Sequence, residues 1–172
     1  DVVVGDYNYY FDLGGLLHGL AQANQWRTAL LVDEAHNLVE RGRKMFTAEL
    51  HPAALAHARS SPTAAQHAPV KKALDKVRRA WVALDKAHPA TYTVLEAFPD
   101  KLLAALQQCT TTLTEHFTDH PTEPDGALQT FYLDALHLQR MADLLDAHSM
   151  VDVTQASATH HRTFKPGDSV VC

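Results

Sequence analysis

Apolar residues recur at intervals of three and four over most of the chain, which is the spacing of an amphipathic helix. This pattern predicts four helices, over residues 52–60, 64–88, 99–118 and 127–148. Pro69 is expected to split the first turn of the second helix from the rest. The apolar stripes of the last three helices predict the core, and they contain Val70, Leu74, Val77, Trp81 and Leu84; Leu102, Leu103, Leu106, Cys109, Leu113 and Phe117; and Leu128, Phe131, Tyr132, Leu136, Leu138, Met141, Leu144 and Leu145.

The first 37 residues have a different pattern. Residues 2–4 and 28–32 are short apolar runs without polar alternation, as in strands that are covered on both faces. Between them, Asp12 can cap a helix over residues 12–23. The order strand, helix, strand predicts a βαβ unit with parallel strands. Near the other end, residues 150–154, 159–164 and 170–172 are typical of strands.

The composition is that of a globular, mainly helical chain. Of the 172 residues, 46% are hydrophobic and 20% are charged, so the chain can bury a core. The formal net charge of −5 excludes a histone-like protein that attracts nucleic acid through its overall charge. Cys109 and Cys172 are too few for a disulfide framework or a four-thiolate metal site.

The sequence shows no basic-then-apolar signal region, and no apolar run approaches the roughly 18 residues of a membrane span. We therefore expect a cytoplasmic protein with no membrane partner. Because an apolar run opens the sequence and another closes it, we also expect a piece of a larger protein. The open edges of such terminal strands predict that they pair with each other, self-associate with a second copy, or are mobile.

The clearest chemical feature is a pair of adjacent acids, Asp33 and Glu34, directly after an apolar run. Ligands bind at the carboxyl ends of strands in open α/β sheets, and buried strands carry acids mainly when these are paired or bind a metal. Asp33 could hold Mg²⁺ through its waters, while Glu34 orients or deprotonates the water that attacks a phosphate. His36 would then sense the γ-phosphate. The alternative is the solvated end of a strand, with Asp33 capping the next turn.

These residues resemble a known family. The tetrapeptide DEAH at residues 33–36 resembles motif II, the Walker B box, of superfamily two helicases, and Asn37 narrows the resemblance to the XPD/DinG-like branch. The segment VVVGDYNYYFD at residues 2–12 also resembles that branch, in which a hydrophobic strand, an Asn-Tyr pair and further aromatics precede the box. Both motifs lie within the first 40 residues, and the remainder resembles the family in layout only.

The resemblance implies a mainly α fold, in which a helical Arch-type insert interrupts a RecA-like (P-loop NTPase) motor domain. Residues 1–40 would belong to the motor domain, 41–148 to the Arch-like domain, and 149–172 to strands that return towards the motor. The implied activity is that of an ATP-dependent DNA helicase, which translocates 5′ to 3′ on single-stranded DNA in DNA repair. Asp33 and Glu34 would be the magnesium and water-activating residues, and His36 the coupling residue.

Several parts of such a motor are missing from this sequence. No Gly-x-x-x-x-Gly-Lys loop is present to bind phosphate, and the first lysine, Lys44, follows the box. The second motor domain is also missing, and the family's iron–sulfur cysteines precede the box, whereas both cysteines here follow it. We therefore expect ATP, Mg²⁺ and any iron–sulfur cluster only in the full-length protein, and no ATP hydrolysis by this chain alone. The alternative is a non-enzymatic helical protein-interaction module.

A cluster of cations marks the second predicted helix. It consists of Lys71, Lys72, Lys76, Arg78 and Arg79. Residues 72, 76 and 79 share one helical face, so they could follow the phosphates of single-stranded DNA. The alternative is a solvated face on which Asp75 pairs with Lys71 or Arg79.

Histidines suggest a third candidate, a small helical metal-binding protein. His116 and His120 have the i, i+4 spacing of zinc ligands on a helix, with Asp119 and Cys109 nearby in sequence. A chain with 12 histidines also forms such pairs by chance, and Pro121 indicates that the helix is ending, so we interpret the pair as chance spacing. The pair at residues 160–161 is expected at the surface.

Aromatic residues allow two interpretations near the first motif. Those at residues 7–11 could stack on bases, or they could pack in a core or over a sheet edge. Trp26 and Trp81 are both expected in the core.

Overall fold

The computed structural model describes residues 2–11, 15–122 and 125–155, together with the backbone of residues 169–171. Most of the described residues are α-helical, so the prediction of a mainly α chain is confirmed. The chain divides into two units, Asp1–Thr47 and Ala48–Cys172. The predicted strand over residues 159–164, the histidines at 160–161 and the capping residue Asp12 lie outside the described residues.

The first unit is built of short helices. Its described part contains α1 (Asn8–Phe11), α2 (Leu16–Ala23), a 3-10 helix (Ala35–Asn37) and α3 (Leu38–Met45). Among the described residues of this unit, Ala21 alone is buried. This unit therefore exposes most of its apolar side chains.

Neither apolar run of the first unit forms a strand. Residues 2–4 and 28–32 have irregular backbone, and the side chains of Val4 and Leu31 are 94% and 101% exposed. The two strands of the predicted βαβ unit are therefore absent from the described part of the first unit. A strand needs a neighbouring strand to satisfy its backbone groups, and an apolar parallel strand needs cover on both faces. The described part of the first unit provides neither.

The second unit contains five α-helices in its described part. They are α4 (Pro52–Ser60), α5 (Pro62–Gln66), α6 (Ala68–Ala87), α7 (Asp100–Asp119) and α8 (Gly126–Asp143). The predictions for α4 and α7 are confirmed closely. Helix α8 ends earlier than predicted, because a turn follows in which Asp146 accepts hydrogen bonds from the Ser149 hydroxyl at 2.8 Å and the His148 backbone N–H at 2.9 Å.

The long helix predicted over residues 64–88 is divided at His67, which has extended backbone with φ −109° and ψ 99°. Pro69 cannot donate a backbone hydrogen bond and would clash with the preceding turn inside a helix, so it is tolerated only in a first turn. Helix α6 accordingly begins at Ala68. Ser61 caps the preceding helix α5, since its hydroxyl accepts from the Ala64 backbone N–H at 3.2 Å.

A three-stranded antiparallel sheet completes the second unit. Strand β2 (Val151–Gln155) lies between β1 (Tyr92–Leu95) and β3 (Ser169–Val171). Leu95 is opposite Val151, and Val153 is opposite Val171. The structure confirms the strands predicted at residues 150–154 and 170–172, which are β2 and β3. Strand β1, which lies between two predicted helices, was missed. Val151 and Val153 face the core at the two-residue period of a strand.

Helices α4 and α7 each contact both α6 and α8, and the core of the second unit lies among these four. All five residues of the predicted α6 stripe are buried, including Trp81 at 3% exposed. The stripe predicted over residues 127–148 is only partly right. Leu136 of α8 is exposed, and so are Leu144 and Leu145, which follow the end of this helix. The prediction that Trp26 is in a core is wrong, since its side chain is 56% exposed.

Among the helices in the described part of the chain, none is both long enough and apolar enough to cross a bilayer.

Candidate functional site

The predicted catalytic residues form an exposed turn that leads into the 3-10 helix. The Asp33 carboxylate accepts a hydrogen bond from the Glu34 backbone N–H at 2.9 Å. Glu34 has a φ of 51°, in the left-handed region, which costs a residue with a side chain roughly 1–2 kcal/mol. One carboxylate oxygen of Glu34 lies 3.2 Å from Nδ1 of His36.

This arrangement brings Asp33, Glu34 and His36 together without burying them. The side chains of Glu34 and His36 are 65% and 74% exposed. Exposed carboxylates can bind a hydrated Mg²⁺ through its waters, but they lack the low-dielectric surroundings that strengthen such interactions in a closed active site. Glu34 is the N-cap residue of the 3-10 helix, and its side chain makes no capping hydrogen bond. The alternative of a solvated turn at Asp33 therefore stays open.

The aromatic residues of the first unit lie partly at the surface. The Arg41 guanidinium lies 4.9 Å from the centre of the Tyr7 ring and 3.7 Å from the Asp6 carboxylate, which connects α3 to the segment before α1. The ring of Tyr10 has edge-on contacts with Phe11 and with His18 of α2. The Tyr9 side chain is 61% exposed. These contacts leave base stacking and packing both open as interpretations.

The five cations of the predicted cluster on α6, Lys71, Lys72, Lys76, Arg78 and Arg79, are all exposed, on the sides of the helix that face away from the core. The Asp75 carboxylate between them does not pair with Lys71 or Arg79, as one interpretation had it. It accepts hydrogen bonds of 2.6 and 2.8 Å from the Arg59 guanidinium of α4. Asp75 therefore stabilises the packing of α4 on α6, and its negative charge pairs with Arg59 rather than with the exposed cations of α6.

Lys76 has a second contact on this face. Its ammonium donates a hydrogen bond to the side-chain carbonyl of Gln108 on α7. This contact holds one cation of the cluster towards α7, while the other four are carried by α6 alone.

Three histidines of the second unit converge. One ring nitrogen from each of His67, His116 and His120 lies within 4.8 Å of the other two. The spacing of His116 and His120 was noted in the sequence but interpreted as chance, and His67 was missed because its approach depends on the packing of α6 against α7. The signal that points to it in the sequence is its place next to Ala68-Pro69, where a helix must break.

A pocket of about 350 Å³ is lined by His120, one of the three histidines. Its lining residues are Phe117, His120, Pro121, Asp125, Gln129, Tyr132 and Leu133. At this rim the Asp125 carboxylate caps α8 by accepting the Leu128 backbone N–H at 3.1 Å. Burial alone would raise the pKa of Asp125, but hydrogen bonds from Leu128, Thr63 and Ser61 outweigh it and hold the pKa below its ordinary value.

Comparisons with known proteins identify no relative of this chain. No family model matches the chain, and neither the curated proteins nor the solved structures contain a match.

Proposed function

We propose that this chain is part of an ATP-dependent DNA helicase of the XPD/DinG-like type. In this proposal, residues 33–36 are the Walker B box of a RecA-like motor, and the helical second unit is the Arch-type insert that follows the box. Asp33 holds Mg²⁺ through its waters, Glu34 activates the attacking water, and His36 couples the γ-phosphate state to the rest of the motor. ATP, Mg²⁺ and single-stranded DNA are the ligands of the full-length enzyme.

The observation that carries the proposal is the apolar segment directly before the box. Residues 28–32 are almost entirely apolar, yet Leu31 is 101% exposed and Leu30 is 43% exposed. A contiguous apolar segment at the surface marks a place that another protein element covers. A buried strand of a motor sheet, with the acids at its carboxyl end, is the environment that this pattern fits.

The exposed residues 2–4 support the same interpretation. Val2 and Val4 are 90% and 94% exposed, and β-branched residues favour strands. The proposal therefore predicts that both runs become neighbouring strands when the rest of the motor sheet is present. A helical interaction module would also expose such runs to a partner, but it gives no reason for the two acids that directly follow residues 28–32.

The proposal is tested by comparing two proteins. The 172-residue chain alone is expected not to hydrolyse ATP, because it has no phosphate-binding Gly-Lys loop. The full-length gene product is expected to contain that loop before residue 1 and to hydrolyse ATP when single-stranded DNA is added. DNA-stimulated hydrolysis by the chain alone, lost on Glu34→Gln, would contradict the first expectation. A gene without the loop would favour the interaction module.

A further inference from the structure

The closest grouping of metal-binding side chains in the described part of the chain is the set His67, His116 and His120. Three neutral imidazoles are a common ligand set for zinc, and such sites keep a fourth position for water or another ligand. We propose that these three histidines form a site for a divalent transition metal, Zn²⁺ above all. This site is separate from the ATP chemistry proposed above and does not depend on it.

The local sequence explains why the three rings meet. His116 lies in the last turn of α7, and His120 is the residue that directly follows this helix. The His120 backbone N–H still donates to the His116 carbonyl at 2.9 Å, which keeps the two residues one turn apart. His67 comes from the break between α5 and α6, where Pro69 prevents a continuous helix. Its ring centre lies 4.6 Å from that of His116 and 4.8 Å from that of His120.

The protonation pattern of His120 favours metal binding. Its Nδ1 lies 3.2 Å from the His116 backbone carbonyl oxygen, and a carbonyl can only accept a hydrogen bond. Nδ1 therefore carries the proton in the neutral ring, and Nε2 has the lone pair that a metal needs. A backbone carbonyl that holds the second ring nitrogen is the usual support of a metal-binding histidine.

The size of the cluster also fits an ion. Three nitrogens about 2.0–2.1 Å from one zinc in a tetrahedral site lie roughly 3.3 Å apart. The observed limit of 4.8 Å is larger, and small rotations of the half-buried His67 and His120 rings can close the difference. His116 is buried, so it provides the fixed ligand around which the other two adjust. His120 also lines the neighbouring pocket, so its ring is reachable from solvent.

Metal binding would connect the junction before α6 to the end of α7. A ligand that binds only the folded form shifts the folding equilibrium towards it. We therefore expect Zn²⁺ to raise the melting temperature of the second unit. The site would thus strengthen the contact between two long core helices.

The test is a titration of the chelator-treated full chain with Zn²⁺, followed by calorimetry. We expect one tight site per chain, and we expect His67→Gln and His120→Gln each to weaken it by about a hundredfold or more. The matched control is His57→Gln, since His57 is an exposed histidine of α4 in the same unit. Binding of Co²⁺ should give the intense visible bands of four-coordination, and the two site variants should lose them.

A second measurement keeps the proposal testable if a variant fails to fold. In the unsubstituted chain, Zn²⁺ should protect residues 67, 116 and 120 from diethyl pyrocarbonate, as mapped by mass spectrometry, and should leave His57 reactive. Absence of a tight site, equal weakening by His57→Gln, or protection confined to other histidines such as those at 160–161 would each overturn the proposal.

Discussion

A carboxylate oxygen of Glu34 lies 3.2 Å from Nδ1 of His36, and both side chains are mostly exposed to solvent. The two residues to which the proposal gives the water-activating and coupling roles are therefore already in contact in this chain. Ion pairs at such exposed positions contribute little to stability, because water screens them and both side chains lose freedom. Any importance of this pair has to come from chemistry rather than from folding.

The first prediction follows from this exposure. Glu34→Gln and His36→Ala should each change the free energy of unfolding by less than about 0.5 kcal/mol, since neither side chain is packed. Urea denaturation followed by the fluorescence of the two tryptophans measures this. A loss above about 1 kcal/mol would mean that these side chains stabilise the fold, and it would contradict both the solvated-turn and the catalytic interpretation.

The second prediction concerns the cap of α8. Asp125→Ala should lower the free energy of unfolding by about 1 kcal/mol at pH 7, because the Leu128 backbone N–H loses its acceptor. Asp125→Asn is the matched control, since an amide oxygen caps almost as well and removes only the charge. Equal losses in both variants would show that the charge, rather than the cap, is what stabilises the helix.

The same carboxylate predicts a pH dependence. The pKa of Asp125 is lowered from 3.8 in the folded chain, so the unfolded chain binds this proton first as the pH falls. The stabilisation is therefore complete above pH 3.8 and is lost as the pH falls through the lower folded pKa. The stability difference between the unsubstituted chain and Asp125→Ala should shrink over this acid range. A stability difference that stays constant over this pH range would contradict the lowered pKa of Asp125 in the folded chain.

The third prediction concerns Cys109, which is fully buried in the core. Burial raises the pKa of its thiol from 9.0 to about 12. The unfolded chain loses this proton more readily, so the contribution to stability is complete below pH 9 and is lost as the pH rises towards 12. Relative to Cys109→Ala, the free energy of unfolding should fall by about 1 kcal/mol between pH 9 and 10.

Thiol reactivity gives an independent check at neutral pH. In a Cys172→Ser background, Cys109 should react with Ellman's reagent only after denaturant is added, since the thiolate is the reactive form and the residue is inaccessible. Complete reaction of the native chain would show that the core around Cys109 opens readily, and it would contradict the assigned burial.

The fourth prediction concerns the cations of α6. If this face binds single-stranded DNA, the triple substitution Lys72→Ala, Lys76→Ala and Arg79→Ala should weaken binding and reduce the slope of log affinity against log salt by about 2. Fluorescence anisotropy with a labelled oligonucleotide measures both quantities.

The control for the α6 experiment removes the same charge elsewhere in the second unit. Lys86 near the end of α6, Lys101 of α7 and Arg140 of α8 are exposed and lie outside the cluster. Their triple replacement by alanine should leave most of the affinity. Equal losses of affinity in the two triple variants would indicate that DNA is attracted by overall charge. An unchanged affinity in the α6 variant would show that this face of α6 is solvated and does not bind DNA.

Local patterns predicted the long helices of the second unit and the strands β2 and β3, but they missed α1, α3 and β1. The α6 stripe from Val70 to Leu84 was correct because helical periodicity is set by near neighbours in sequence. Strands depend on distant partners, so residues 28–32 were assigned wrongly and β1 was missed.

The candidate sites follow the same rule. The contact between Glu34 and His36 joins neighbours, and their closeness could be predicted. The approach of His67 to His116 depends on how α6 packs against α7, which the sequence pattern alone does not specify. The ion pair from Asp75 to Arg59 was missed for the same reason, because local spacing favoured partners on its own helix.

The most direct test of the helicase proposal is the rate of ATP hydrolysis by the full-length gene product with single-stranded DNA present. The double replacement Asp33→Asn and Glu34→Gln should lower this rate by at least about a hundredfold, because it removes both the negative charge that holds the hydrated Mg²⁺ and the general base. Glu40→Gln, an exposed acid of α3, is the matched control and should hydrolyse ATP normally. Unchanged hydrolysis by the double variant would contradict the account.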